Sequence, residues 1–573
     1  MAQETGRPRI GLALSGGGFR ASFFHLGVIR RLEELDLMKD VEVISTVSGG
    51  SILGGYYLVQ FDKEKRSQKY KTRLEMCDAV IQKFYEQVLT NMRMRAMIFA
   101  PVFYPISFLR FVLSRGEKCS RMERMAAEFQ KKFYATNLRI GDLPLEPKLL
   151  INTTSNSIGK RVVFYRGGQN SMDSQTSDAD FSQLPLSSVI GASASVPGVF
   201  PPVPIAGDVY SDGGVVDNQG LESLFDYFGF TEDGLNRLDP TCRRPKAPGE
   251  QVVIICSDAS GQIQVEDIPK RTGLASAARS MDILQAGNRN KIIKLLGEYK
   301  DDGDIDEFAF FHLSKNLKDW QNKEVGDQKY RDIPERLCSE FITPVARLRT
   351  DLDEFDLIES FSLMYHGYTL VNWHIASYCP VLKAYNGLAN RLEAFGGWTP
   401  SWGPQFLTQK NLTGQLDEKA AGWTPQKKRD FIVGRLDVGK EQFFRNIRKN
   451  KLVFSPLLLV ASALMIAVLF WQTVRDSIFY DVDGVANNPG YFLAVKVMNG
   501  IQQVIPSSLG KYFDLEGGRY GDIPIFFSDV IILTILIYIS LLIYWLINRR
   551  FVRWMYQKDY KKVSPPGTEV PFP

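Results

Sequence analysis

Short apolar runs alternate along the first half of the chain with stretches whose apolar residues recur every three or four positions, the pattern of buried strands that lead into helices. Ile10 to Leu14 (IGLAL) reads as a buried strand, and ASFFHLGVIRRLEELDL after it sets Phe24, Val28, Leu32 and Leu35 at helical spacing. Val41 to Gly55 (VEVISTVSGGSILGG) repeats the step: a β-branched and apolar run ends at Ser45 and Thr46, and a glycine-rich helical run begins just after Ser48. Ser48 therefore falls on a strand-to-helix turn, where its hydroxyl projects from the backbone beside the positive end of a helix.

Three longer apolar stretches predict something else. Ala96 to Leu109 (AMIFAPVFYPISFL) is apolar for about fourteen residues but is too short to span a bilayer and carries Pro101 and Pro105. It reads either as a lid or shallow membrane-entry segment, with Arg93, Arg95 and Arg110 at its edges, or as a core segment of an insertion. Leu452 to Val474 and Val530 to Ile547 are free of charge over about 23 and about 18 residues, each enough for a membrane span. Arg445, Arg448, Lys449 and Lys451 precede the first and Arg549, Arg550, Arg553, Lys558, Lys561 and Lys562 follow the second, while the segment between holds only Arg475, Lys496, Lys511 and Arg519. That asymmetry places both ends in the cytoplasm and residues 475–522 across the membrane, with Trp471, Trp545, Trp554 and Tyr556 at the interfaces.

Composition narrows the classes. The chain has 573 residues, 45% hydrophobic and 23% charged, ample for a large core and against extended disorder. A net charge of +5 from 69 basic and 64 acidic residues gives no polyanion signature, so no nucleic-acid partner is expected. Cys77, Cys119, Cys242, Cys256, Cys338 and Cys379 lack CxxC spacing and lie among only four histidines, which fits reduced thiols on a cytosolic face. No metal or cofactor is expected; DDGDIDE (Asp301 to Glu307) and DVDG (Asp481 to Gly484) lack the ligand spacing of a calcium loop. The start of the sequence, MAQETGRPRIGLALSGGG, lacks the layout of a signal peptide.

The candidate chemistry lies in three turns. Ser15, Gly16, Gly17, Gly18, Phe19, Arg20 and Ala21 form a glycine-rich turn at a helix start, a site for negative charge. Gly16, Gly18 and Ala21 satisfy the dinucleotide fingerprint, but the acid that fingerprint needs at the end of the second strand is absent and Ser48 stands there instead, which favours an oxyanion hole. Around Ser48 the G-x-S-x-G elbow reads Thr46, Val47, Ser48, Gly49, Gly50, with the second glycine kept and the first replaced. The third turn is Asp212, Gly213, Gly214, which alone would be no more than a hairpin.

In this order the three turns resemble the signatures of the patatin-like phospholipases: a G-G-G-x-R/K-G oxyanion loop (Gly16 to Ala21), a G-x-S-x-G elbow (Thr46 to Gly50) and a D-G-G/A turn (Asp212 to Gly214). ASASVPGVFPPV (Ala192 to Val203) is similar to the family's approach to its catalytic aspartate, VVIICSDAS (Val252 to Ser260) to a core strand, and LRTDLDEFDLIESFSLMYHGYTL (Leu348 to Leu370) to a downstream helix of some bacterial members. Thr46 and Ala21 stand where the family has glycine; both are small, so a re-aimed turn with retained chemistry is expected.

The resemblance implies an α/β hydrolase with a mostly parallel sheet flanked by helices, in which Asp212 takes the proton of Ser48 directly and Gly16 to Gly18 hold the oxyanion. A Ser/His/Asp triad is the rival, and only His25, His312, His366 and His374 could serve it; His25 sits inside the first helix, and His366 and His374 in an amphipathic helical stretch. Arg20 would either meet a lipid phosphate or carboxylate or tie the loop to a neighbouring acid. The expected organisation is a catalytic domain over 1–395 with an insertion at about 65–140, a linker and basic juxtamembrane segment over 396–450, a transmembrane hairpin over 451–550 and a basic cytoplasmic tail over 551–573. The expected function is hydrolysis of fatty-acyl esters of membrane phospholipids or lysophospholipids at a bilayer. A neutral-lipid or other acyl-ester hydrolase, and a non-catalytic membrane scaffold, are the alternatives.

Overall fold

The computed structural model of the chain describes residues 7–89, 92, 121–134, 137–169, 181–231, 238–239, 242–261, 273–320, 324–325, 328–329, 336–398 and 425–440. The apolar stretch at 96–109 and both C-terminal apolar segments lie outside them. Among the described residues no helix is long and apolar enough to cross a membrane.

Strand β1 (Arg9–Leu14) is buried along its whole length and passes through the glycine turn into α1 (Gly18–Glu34). The step recurs from β2 (Val41–Val47) into α2 (Gly49–Ser67). After α3 (Arg73–Val88) and α4 (Arg121–Lys132) come β3 (Lys148–Ser155), β4 (Lys160–Tyr165), the short β5 (Gly168–Gln169) and α5 (Leu186–Ser193). A hairpin of β6 (Val203–Ile205) and β7 (Asp208–Asp212) precedes α6 (Leu221–Phe228), β8 (Val252–Asp258), α7 (Gly273–Asp301), β9 (Glu307–His312), α8 (Ser339–Ala346) and α9 (Leu357–Tyr378).

The main path of the sheet runs β5-β4-β3-β2-β1-β8-β9, with β7 also pairing β3 and β6 pairing β7. The five strands β3-β2-β1-β8-β9, running to one end of that path, are parallel, and the antiparallel pairings are confined to the side beyond β3. Period-2 alternation sorts the strand residues between two cores. Ile10, Leu12, Leu14, Val253 and Ile255 join a core with α1, α2, α3 and α9, whereas Ala13, Val43, Leu150, Ile254 and Cys256 pack with α6 and the C-terminal half of α7. Helices therefore cover both faces, which explains why the parallel strands read as continuous apolar runs.

Two findings depart from the sequence reading. Helix α9 is not amphipathic: all of it except Trp373 and Tyr378 is buried, and it crosses α1 so closely that a Cβ at Gly27 would lie 1.7 Å from Met364 O and one at Gly367 2.2 Å from Phe24 O. The stretch read as a linker also contains a helix, Pro425–Gly439, whose Ile432 and Leu436 are buried and whose Gly439 carbonyl accepts from Arg349 Nη1 at 2.8 Å. Apolar residues four apart on one helical face pack this segment into the same body as the sheet and its helices.

Candidate active site

The registers Leu14 with Thr46, Leu14 with Ser257 and Val47 with Asn152 bring the carboxyl ends of β1, β2, β8 and β3 to one edge of the sheet, where open α/β sheets place their ligands. Ser48 follows β2 directly, with φ 50° and ψ −116°. A non-glycine residue at positive φ is strained, and the surroundings must hold it there. They do so with hydroxyls: Ser48 N–H donates to Ser193 Oγ at 3.0 Å, Ser193 Oγ donates to Asn152 O at 2.7 Å, and Ser51 Oγ lies 2.8 Å from Ser193 Oγ. Glycine is required next, because a Cβ at Gly49 would lie 2.1 Å from Gly18 O and one at Gly50 2.3 Å from Leu14 O.

Thr46 fits because the room lost on the strand is returned by the helix. Its hydroxyl donates to Leu150 O at 3.0 Å and accepts from Ser51 Oγ at 3.0 Å, and a Cβ at Gly54 would lie 2.8 Å from its Cγ2. Asn152 carries the network to the neighbouring strand, donating from Nδ2 to Ser45 Oγ and Thr46 O, both at 2.9 Å.

Asp212 ends β7 opposite Thr153, with its N–H on Ser195 O at 2.9 Å and its carbonyl accepting from Thr154 Oγ1 at 3.0 Å. Oδ1 accepts from Gly214 N–H at 2.7 Å, and Oδ2 is buried with no hydrogen-bond partner. Burial pushes the carboxyl pKa up to about 6, against the Ser48 hydroxyl and the Gly214 N–H, which pull it down. The Ser48 hydroxyl is thus close enough to act on the carboxyl without closing a hydrogen bond to Oδ2, a looseness common in sites without substrate. The arrangement is a strained serine facing a buried carboxylate with one uncommitted oxygen.

The glycine turn divides its three N–H groups. Gly16 N–H donates to Asn218 O at 3.0 Å and is spent. Among the described residues no group accepts from Gly17 N–H or Gly18 N–H. Gly17 (φ 138°) and Gly18 (φ 58°) hold backbone conformations suited to glycine, so the oxyanion role expected of Gly16, Gly17 and Gly18 narrows to the last two. Arg20 is corrected too: its side chain is buried, Nη1 donates to Leu348 O at 2.8 Å and Nη2 to Ala259 O at 2.9 Å. It braces the turn from behind and is closed to substrate.

The histidines have other partners. His25 is fully buried, with Nδ1 2.7 Å from Ser257 Oγ and Nε2 2.9 Å from Ser15 O; His366 Nε2 lies 2.9 Å from Leu313 O and His374 Nδ1 2.8 Å from Leu370 O. Burial lowers His25 and His366 to about 4 and His374 to about 3. His312 Nδ1 pairs with Ser314 Oγ at 2.8 Å. None of these contacts involves Ser48 or Asp212.

Sequence reading missed Asn152, Ser193 and Asn218. Ser193 lies within the stretch flagged before the aspartate turn and Asn218 six residues after Asp212, but Asn152 has no motif of its own.

Residues 12–225 match the family model described as Patatin-like phospholipase. No curated protein matches the chain as a relative. Among solved structures, human GIVD cytosolic phospholipase A2 in complex with methyl γ-linolenyl fluorophosphonate and terbium chloride is 18% identical, covering 29% of this chain and 24% of that one, with a TM-score of 0.22. A second structure of human GIVD cytosolic phospholipase A2 is 16% identical, covering 29% of this chain and 22% of that one, with a TM-score of 0.23. VipD from Legionella pneumophila is 14% identical over 64% of this chain and 67% of its own, with a TM-score of 0.25. Likenesses this distant carry no part of the functional case.

Proposed function

From a chain whose residues 12–225 match the patatin-like phospholipase family, we propose a serine lipid acyl hydrolase that cleaves fatty-acyl esters of membrane phospholipids or lysophospholipids through Ser48 and Asp212. The family supports the broad activity. The finer reading rests on one observation, the strained Ser48 beside the buried, half-partnered carboxylate of Asp212.

Ser48 Oγ adds to the ester carbonyl carbon while its proton passes to Asp212 Oδ2, and the carbonyl π pair moves onto oxygen as the oxyanion. Gly17 N–H and Gly18 N–H stabilise that charge. Collapse of the tetrahedral intermediate breaks the ester C–O bond; the departing alkoxide takes the proton from Asp212, leaving acyl-Ser48. Water then attacks the acyl carbon, again losing a proton to Asp212, and the fatty acid leaves as Ser48 regains its hydrogen.

A fluorophosphonate is expected to label Ser48 of the wild type, with no labelling of Ser48→Ala. Lipid mass spectrometry of cells expressing each is expected to show fatty acid rising, and the parent phospholipid or lysophospholipid falling, only with the wild type. Turnover of neutral lipid in preference to phospholipid would replace the substrate, and absence of labelling would favour a scaffold that has kept the fold.

The localisation belongs to the same proposal: a two-pass membrane protein with the catalytic domain and C-terminus on the cytoplasmic side. It rests on the two charge-free stretches and their basic flanks. A chain ended after Asn446 keeps the Pro425–Gly439 helix and the whole site. It is expected to cleave a short soluble ester at the full rate while its action on bilayer phospholipid falls at least about tenfold, since anchoring supplies effective concentration without new contacts. Unchanged bilayer turnover would show that the catalytic body finds membranes unaided.

A further inference from the structure

Asn218 stands at the junction of all three catalytic turns, and its carboxamide has no partner among the described residues. Its Oδ1 fills the notch between two glycines: a Cβ at Gly16 would lie 2.3 Å from it and a Cβ at Gly214 2.5 Å. The same imaginary Cβ at Gly16 would be 3.2 Å from Ser48 Cβ, and that at Gly214 3.0 Å from Asp212 Oδ1. The carboxamide is therefore wedged against the neighbours of both dyad residues, with Nδ2 turned away from the notch as the planarity of an amide requires.

The backbone that presents it is fixed from several sides. Asn218 O accepts Gly16 N–H at 3.0 Å. Asp217 Oδ1 accepts from Gln219 N–H and Gly220 N–H, and Oδ2 from Glu222 N–H, all at 2.9 Å. Ser45 Oγ donates to Gly220 O at 2.6 Å. Holding a half-buried amide rigidly while leaving its N–H groups without an internal acceptor is the arrangement of a preorganised donor.

We infer that Asn218 Nδ2 donates a hydrogen bond to the acyl oxygen as it becomes an oxyanion, the side-chain partner of Gly17 N–H and Gly18 N–H. The inference rests on the Ser48 and Asp212 reading proposed above. Gly16 cannot contribute because its own N–H is given to Asn218 O, so the spent backbone donor positions its side-chain replacement.

The test uses the full-length protein, a short-chain p-nitrophenyl ester at pH 8 and a trifluoromethyl ketone, whose adduct with the serine carries the same oxyanion. Asn218→Ala is expected to lower kcat about 100-fold with KM within about threefold, and ketone affinity is expected to fall in parallel. Asn218→Asp, which keeps the shape and removes the donor, is expected to fall at least as far; it also serves if the alanine variant does not fold. Near-normal kcat in Asn218→Asp, or a loss in either variant without a matching loss of ketone affinity, would reduce Asn218 to packing and overturn the inference. An inert wild type, or a Ser48→Ala variant as active as it, would instead remove the dyad reading on which this one stands.

Discussion

Asp212→Asn is expected to lower ester turnover by at least about three orders of magnitude and, at neutral pH, to make the protein more stable. Asparagine matches the carboxyl in shape and can still accept from Gly214 N–H, but it cannot take the Ser48 proton. Ser48→Ala should lose as much, and the double variant should be no worse than either single one, because nucleophile and base act as a unit. The stability gain follows from burial. The folded carboxyl, raised to about 6, holds its proton where the unfolded one has lost it, so its stabilising contribution is complete below pH 4 and disappears as pH rises through 6. Ionising the buried group by pH 7 costs roughly 3 kcal/mol, a cost that asparagine avoids. In the wild type, kcat/KM should fall about tenfold per pH unit below 6 as the base is protonated. Thermal melts and pH profiles of the wild type and Asp212→Asn test both halves. A variant no more stable than wild type at pH 8, or activity that persists below pH 5, would contradict the buried base.

Gly17→Val is expected to cost about 3 kcal/mol or more of transition-state stabilisation, more than about 100-fold in kcat, with a smaller effect on KM. At φ 138° valine is excluded from the native backbone, and its Cβ would lie 3.0 Å from Ala259 O and 3.2 Å from Ala21 Cβ. The turn must move, and with it the N–H proposed to meet the acyl oxygen. Gly18 is a poorer target because its Cβ would lie 2.7 Å from Asp351 O and 2.9 Å from Asp351 N, so its loss would be mixed with misfolding. Turnover of a soluble ester decides the point: near-normal kcat in Gly17→Val would reassign the turn to binding phosphate.

The three turns were legible as turns because each is a local event in which strand and small residues follow one another within a few positions. What crosses the chain was not. The sequence leaves Arg20 open between meeting lipid and tying the turn to a neighbouring acid, because nothing near it in sequence reveals Leu348 O and Ala259 O, the two carbonyls that occupy it. Helix α9 read as amphipathic because its polar residues are satisfied inside: Thr369 Oγ1 donates to Tyr365 O, Asn372 Oδ1 accepts from Arg31, and Glu359 from Arg349. Polarity predicts exposure only where no internal partner exists. Gly16 resembled its two neighbours in the motif, and only the return of the chain at Asn218 shows that its N–H is taken.

The close crossing of α1 and α9 bears on where a self-sufficient enzyme can be cut from this chain. The family match ends at residue 225, yet the first turn of α1 hangs from Asp351 through Phe19 N–H, and the helix behind it is sealed by residues 357–378. A fragment trimmed to the matched borders would expose Phe24, Val28 and the rest of that helix face to water while leaving the oxyanion turn unsupported. Signature and folding unit are different lengths here: one ends shortly after Asp212, the other runs on to Gly439, so a self-sufficient fragment must be cut beyond that later border.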